Sequence, residues 1–98
     1  MENDLRIEQN SSKNRFEVVV DDMTAFVDYI AMGKKIIYTH TEVPQILEGR
    51  GIGSALAHKV LDYAREKDLE VIPLCPFLGS WLRNHPEYQD VLADGVGL

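Results

Sequence analysis

Between Lys35 and Lys67 the chain changes its periodicity, and it does so across a run of glycines. Ile36, Tyr38, His40 and Glu42 alternate with Ile37, Thr39, Thr41 and Val43, the two-residue period of a strand. Pro44 cannot donate to a sheet ladder and ends that strand. After a short loop, Ile52, Ala55, Leu56, Val60, Tyr63 and Ala64 recur at helical spacing to about Lys67. Glu48-Gly49-Arg50-Gly51-Ile52-Gly53-Ser54 joins the two. A one-faced helix that follows a one-faced strand must bury its stripe against a sheet, so the chain is restricted to α+β or α/β architectures.

The flanking segments fill in that sheet. Leu5–Gln9 reads as a short strand, Asn10–Asn14 as a turn cluster, and the β-branched stretch Phe16–Val20 as a second strand closed by Asp21-Asp22. Met23–Met32 fits both periods: Met23, Phe26, Val27 and Ile30 at helical spacing, Ala25, Val27, Tyr29 and Ala31 in alternation. The Asp-Asp turn before it and the Phe, Val, Tyr and Ile within it favour a strand, which Gly33-Lys34 closes. Beyond the main helix, Glu70–Leu74 is a brief buried strand interrupted by Pro73. Pro76 opens a second helix that turns Phe77, Leu78, Trp81 and Leu82 inward, and a last short helix spans Pro86–Ala93. The expected fold is a mixed, mostly antiparallel sheet of about five strands, with its main helix after the fourth and one or two C-terminal helices.

Ninety-eight residues make one domain, 1–98, with no linker or repeat to divide it. With 45% hydrophobic and 27% charged residues, the chain has the material for one modest core and is not a disordered segment. Ten basic against sixteen acidic residues leave a charge of −6, the wrong sign for a nucleic-acid binder. No apolar run approaches the length of a membrane span. The acidic start Met1-Glu2-Asn3-Asp4 lacks the order of a signal peptide. The one cysteine, Cys75, cannot form an internal disulfide, and no Cys/His cluster has metal-ligand spacing. A reducing cytoplasm is the expected setting, and an exposed edge strand allows a monomer or a weak dimer.

The glycine-rich turn has its own chemistry. Glycine lets backbone approach a ligand closely, and a helix N-terminus offers unpaired N–H groups at the positive end of its dipole. That combination suits a phosphate, with Arg50 as a further donor. It equally describes a flexible turn feeding a helix. No Gly-Lys-Ser/Thr is present, and Ser54 stands where a dinucleotide fingerprint requires glycine, so neither of those two phosphate loops applies.

Thr41-Glu42-Val43-Pro44 followed by Gly49-Arg50-Gly51-Ile52-Gly53-Ser54-Ala55-Leu56 resembles the acetyl-CoA-binding motif of the GNAT N-acetyltransferases, Gln/Arg-x-x-Gly-x-Gly/Ala. Gly51 and Gly53 occupy the motif glycines, whereas Glu48 sits at the Gln/Arg position. With His40-Thr41-Glu42-Val43-Pro44, Ile72-Pro73-Leu74-Cys75-Pro76-Phe77 and Asn84-His85-Pro86-Glu87-Tyr88, the likeness extends over residues 5–92 and is to a subgroup of very small GNAT-like members. It implies a minimal GNAT-like domain that takes acetyl-CoA and passes the acetyl group to a small-molecule or peptide amine. Val43, Gly49, Arg50, Gly51, Ile52, Gly53 and Ser54 would then bind the cofactor, mostly through backbone amides. Only the turn at Asn10–Asn14 stands where ordinary members carry helices over the acceptor. The alternative is a non-catalytic acyl-CoA-binding or protein-interaction module on the same fold.

Acetyl transfer requires a neutral amine, and a lysine-like amine is only about 0.04% neutral at pH 7. A positioned base therefore matters. Glu42 and His40 lie on one strand face before the loop, about 7 Å apart along the strand, and either can relay a proton; the alternative reading is a solvated strand-end acid and a hydrogen-bonded, half-buried imidazole. Cys75 ends a strand at a helix N-terminus, where the dipole favours thiolate, and is a third candidate as acyl acceptor or acid; structurally it is a small core residue. Arg83 and His85 stand at a helix end within reach of phosphates or of solvent, His58 falls on the exposed face of the main helix, and Trp81 and Phe77 read as core.

Overall fold

Alternation in the first half of the chain produces a meander. The computed structural model describes residues 5–97; Met1–Asp4, including the stretch read above for a leader, and Leu98 lie outside the described residues. Strands β1 (Glu8–Asn10), β2 (Arg15–Val20), β3 (Met23–Met32) and β4 (Lys35–Glu42) pair antiparallel in chain order, and β5 (Glu70–Pro73) joins β4 in parallel. Met23–Met32 is thus a strand, and Ala25, Val27 and Tyr29 are its buried residues. The two-residue turn before it places both Asp21 (φ 52°) and Asp22 (φ 64°) in the left-handed region, the turn geometry whose twist matches a hairpin.

Helix α1 (Ile52–Glu66) lays Leu56, Val60, Leu61 and Ala64 on the face that carries Phe16, Val18, Val27, Tyr29, Ile36 and Tyr38. Burial of each leucine, valine, isoleucine or phenylalanine among them stabilises by about 1.5–3 kcal/mol. Tyr38 is fully buried, and its hydroxyl donates to the Val60 carbonyl at 2.6 Å, so the phenol leaves no orphan polar atom between sheet and helix. The parallel β4–β5 pair requires a crossover, and α1 is that crossover. Helix α2 (Pro76–Arg83) follows β5 with Pro76 in its first turn, and packs Leu78, Trp81 and Leu82 inward.

Several elements depart from the sequence reading for identifiable reasons. The first strand is Glu8–Asn10 rather than Leu5–Gln9, because the tight turn at residues 11–14 brings only those three residues opposite Arg15–Glu17; Leu5 and Ile7 pack beside the core instead. β5 ends at Pro73, one residue early. Gln45–Leu47 forms a 3-10 turn where a plain loop was expected, and it buries Leu47. The last element is a 3-10 helix, Pro86–Val91, after which Leu92 forms a parallel bridge with Val71.

The largest departure lies within β4. Asp28 pairs with His40 and Tyr29 with Tyr38, so Thr39 is an extra residue, a bulge. A bulge reverses the alternation. Ile36 and Tyr38 face the helices, but His40 and Glu42 do not continue that face: they turn to the other side with Phe26 and Asp28, and Thr41 turns inward opposite Val27.

Candidate functional site

β4 and β5 part company just after Tyr38. The Tyr38 carbonyl accepts from Leu74 N at 3.0 Å and from Cys75 N at 3.1 Å, and the later chain then turns into α2 while β4 runs on to Glu42. Thr39–Glu42 is hydrogen-bonded along β3 and has no β5 partner among the described residues. A cavity of about 530 Å³ opens beside this end of β4. Thr41, Glu42 and Val43 form one wall, Leu47 and Glu48 the next, and Gly49, Gly51, Ile52, Gly53 and Ser54 bring in the first turn of α1; Phe77 of α2 closes the side.

The entrance to α1 explains why this loop is glycine-rich. Gly51 occupies the N-cap at φ 77°, a left-handed conformation in which L side chains are strained, and no side chain caps the helix. Among the described residues no side chain caps the N–H groups of its first turn, which lie at the positive dipole end. A Cβ on Gly53 would come within 3.1 and 3.3 Å of the Phe77 ring, so the absence of a side chain there lets the ring lie on the helix. An N–H-rich rim, the apolar walls of Val43, Leu47, Ile52 and Phe77, and a strand edge lacking its ladder suit a ligand with an anionic end and an apolar, amide-bearing arm.

Six of the seven residues expected at the cofactor, Val43, Gly49, Gly51, Ile52, Gly53 and Ser54, border the cavity. Arg50 does not. Its Nη1 donates instead to Asp21 Oδ2 at 2.8 Å, across to the β2–β3 turn, and both side chains are at least half exposed. The charged side chains among the cavity's lining residues are Glu42 and Glu48, both acidic.

Of the expected chemical groups, Glu42 borders the cavity; His40 Nε2 donates to Glu42 Oε1 at 3.3 Å, and its ring lies 5.9 Å from that of Phe26. Cys75 is 2% exposed, with its Sγ 3.2 Å from Thr41 Oγ1. Thr41, a cavity residue, thus stands between the sulfur and the opening. Cys75 is indeed the N-cap of α2, but its own side chain is buried, while Pro76 and Phe77 of the first turn are exposed.

Sequence reasoning missed three wall residues. Leu47 had a readable signal, since Pro44 opens the 3-10 turn that buries it. Thr41 depends on the bulge. Phe77, expected in the core, is 37% exposed over Gly53, because helical spacing does not distinguish a core-facing from a cavity-facing position. Trp81 is buried as expected; its indole N–H donates to Ser54 Oγ at 3.3 Å, and it stacks on His85 with ring centroids 3.5 Å apart. His85 Nδ1 donates to the Trp81 carbonyl at 2.7 Å. Exposed His58 is also engaged. Its Nδ1 donates to the Tyr88 hydroxyl at 3.1 Å, and that hydroxyl donates to Asp62 at 2.7 Å. Burial, then the Asp62 carboxylate, push the Tyr88 phenol up to about 12.

A family model described as GCN5-related N-acetyl-transferase matches residues 15–91. Protein NATD1 of Mus musculus is 32% identical over 85 residues, covering 84% of this chain and 77% of that protein. The Danio rerio protein of that name is 30% identical over 89 residues, covering 86% and 81%. A GCN5-like protein of Staphylococcus aureus, solved in solution by NMR, superposes with a TM-score of 0.73 at 32% identity, over 94% of this chain and 91% of that one. Among the described residues, no helix is long and apolar enough to cross a membrane.

Proposed function

Since the chain belongs to the GCN5-related N-acetyltransferase family, we propose that it binds acetyl-CoA in the β4–α1 cavity and transfers the acetyl group to an amine. The observation that carries this reading is the meeting of an uncapped α1 N-terminus with the parting of β4 from β5. The residues fit the group. First-turn amides from Ile52 to Ser54 suit the pyrophosphate, Val43, Leu47 and Phe77 suit the apolar pantetheine arm, and the unpaired backbone of β4 suits its amides.

When bound, acetyl-CoA supplies an activated thioester. Glu42 would take a proton from the incoming amine, directly or through one water, as the C–N bond forms and the thioester C–S bond breaks. The water that reaches this open end of the site would give the departing CoA thiolate its proton. His40 is a positioning residue. It donates to Glu42 Oε1 and packs against Phe26, which fixes the carboxylate at the cavity edge. In this reading Cys75 is a packing residue behind Thr41, since a sulfur with 2% exposure does not meet a ligand without movement of Thr41. The acceptor is a small-molecule or peptide amine, for which a chain of net charge −6 is electrostatically suited.

Calorimetric titration with acetyl-CoA, with adenosine diphosphate as control, tests the binding step. A dissociation constant in the micromolar range, about −8 kcal/mol, supports it. No heat at several temperatures together with no chemical-shift change overturns it. Turnover with polyamine and lysine-peptide acceptors then separates an enzyme from an acyl-CoA-binding module. The second reading is favoured by the side-chain exposure of His40 and Glu42, 57% and 59%, which leaves the proposed base open to water.

A further inference from the structure

We infer that Asp21 and Glu48 set the anion affinity of the glycine loop, holding it low enough that phosphate groups alone do not retain a ligand and the pantetheine arm must. This rests on the reading that the cavity takes acyl-CoA. The segment from Glu48 to Ser54 contains one cation, Arg50. That cation is turned off the cavity and engaged by Asp21 at 2.8 Å. Glu48, by contrast, is a cavity residue next to Gly49. An arriving pyrophosphate therefore meets a carboxylate on the wall and a guanidinium that already has a counter-anion. What attracts it first is the uncapped helix end.

The β2–β3 turn is built to place that carboxylate. Asp21 and Asp22 both hold left-handed backbone, φ 52° and 64°, where glycine or asparagine is favoured. Asp21 spans 29 residues of sequence to reach the loop. The pair is exposed and weak, so a phosphate can exchange for Asp21 on Arg50, but each such exchange lowers the net gain. Glu48 acts by plain repulsion at close range, and neither effect touches the apolar walls.

The experiment compares wild type with Asp21→Asn, Glu48→Gln and the double variant. The ligands are acetyl-CoA, adenosine diphosphate and pantetheine, titrated at low and at 0.5 M salt. Asparagine tolerates left-handed backbone better than aspartate, so Asp21→Asn keeps the turn. Expected at low salt is about threefold tighter binding of both phosphate ligands in Asp21→Asn and up to tenfold in Glu48→Gln, with pantetheine unmoved. The gain shrinks at high salt. Weaker adenosine diphosphate binding in Asp21→Asn overturns the inference, because Asp21 then presents Arg50 to the phosphate. Unchanged affinity in all three variants overturns it as well. If acetyl-CoA binds wild type, is lost in Gly51→Glu, and the carboxamide variants change nothing, only this inference falls. If neither phosphate ligand binds any form, the cofactor reading falls with it.

Discussion

Each of the two parallel strands leads on to a helix, and the two helix N-termini have opposite fates. α1 follows β4 through Gly51, and α2 follows β5 through Cys75; neither has a side-chain cap. Both ends carry the partial positive charge of a helix dipole. At α1, the glycine cap and the 3-10 turn at Gln45–Leu47 leave the first turn facing a cavity of about 530 Å³. At α2, Pro76 removes one N–H, and the cap residue is buried against Thr41. The difference lies in the surroundings: a helix end becomes a site where the neighbouring strands separate and small residues keep the space open, and otherwise it is packing.

Moving a negative charge from one end to the other gives the largest contrast. Gly51→Glu directs a carboxylate toward the cavity in strained backbone and should weaken acetyl-CoA binding at least a hundredfold. It costs about 1 kcal/mol of stability, a fall in melting temperature of several degrees. Pro76→Glu, at an exposed position outside the cavity, should leave affinity within about twofold. Equal loss in both variants, measured by calorimetry on folded protein, would remove the distinction between the two ends.

Cys75→Ser probes the packed end. A hydroxyl replacing a buried thiol beside Thr41 should cost about 1–2 kcal/mol, and acetyl transfer should stay above half the wild-type rate. An acetyl mass shift on wild type that disappears in Cys75→Ser, with turnover lost, would return the sulfur to the chemistry.

The loop that distinguishes these ends was plain in the sequence, since glycine spacing and the switch from strand to helix period are local signals. The β4 bulge was not. Whether Thr39 adds an extra residue depends on β3 across the ladder, and strict alternation therefore put His40 and Glu42 on the face of Tyr38. Arg50 failed for a related reason: as a loop cation it reads as a phosphate donor, and only the fold brings Asp21 to it. Phe77 obeys its helical period and still lies outside the core, because α2 passes over the α1 N-terminus at Gly53.

Gly53→Ala makes that crossing measurable. The added methyl meets the Phe77 ring at 3.1–3.3 Å, and the exposed ring can yield by a few tenths of an ångström. Alanine in a helix gains up to about 1 kcal/mol over glycine, so the melting temperature should hold or rise slightly. Acetyl-CoA affinity should fall about three- to tenfold as the ring moves into the cavity. A fall in stability with unchanged affinity would make Phe77 a structural prop for α1 and not a cavity wall.

The smallest effect lies at the far end of α1, where the 3-10 helix Pro86–Val91 straps the helix down through Arg65. That side chain donates to the Glu87 carbonyl at 2.9 Å and pairs with Asp90. The Arg65 hydrogen bond holds the Asp90 carboxyl below its ordinary value of 3.8. A carboxyl depressed in the folded state contributes stability above its unfolded value and loses it as pH falls through the folded one. Asp90→Asn should therefore lower the melting temperature by about 1–3 °C at pH 7, with the gap to wild type closing as pH drops below the ordinary carboxylate range. Acetyl-CoA affinity should not move, because the strap is at the end of α1 remote from the cavity. A gap that persists undiminished in acid would mean that Asp90 acts through packing; a change in affinity would mean that the two ends of α1 are coupled.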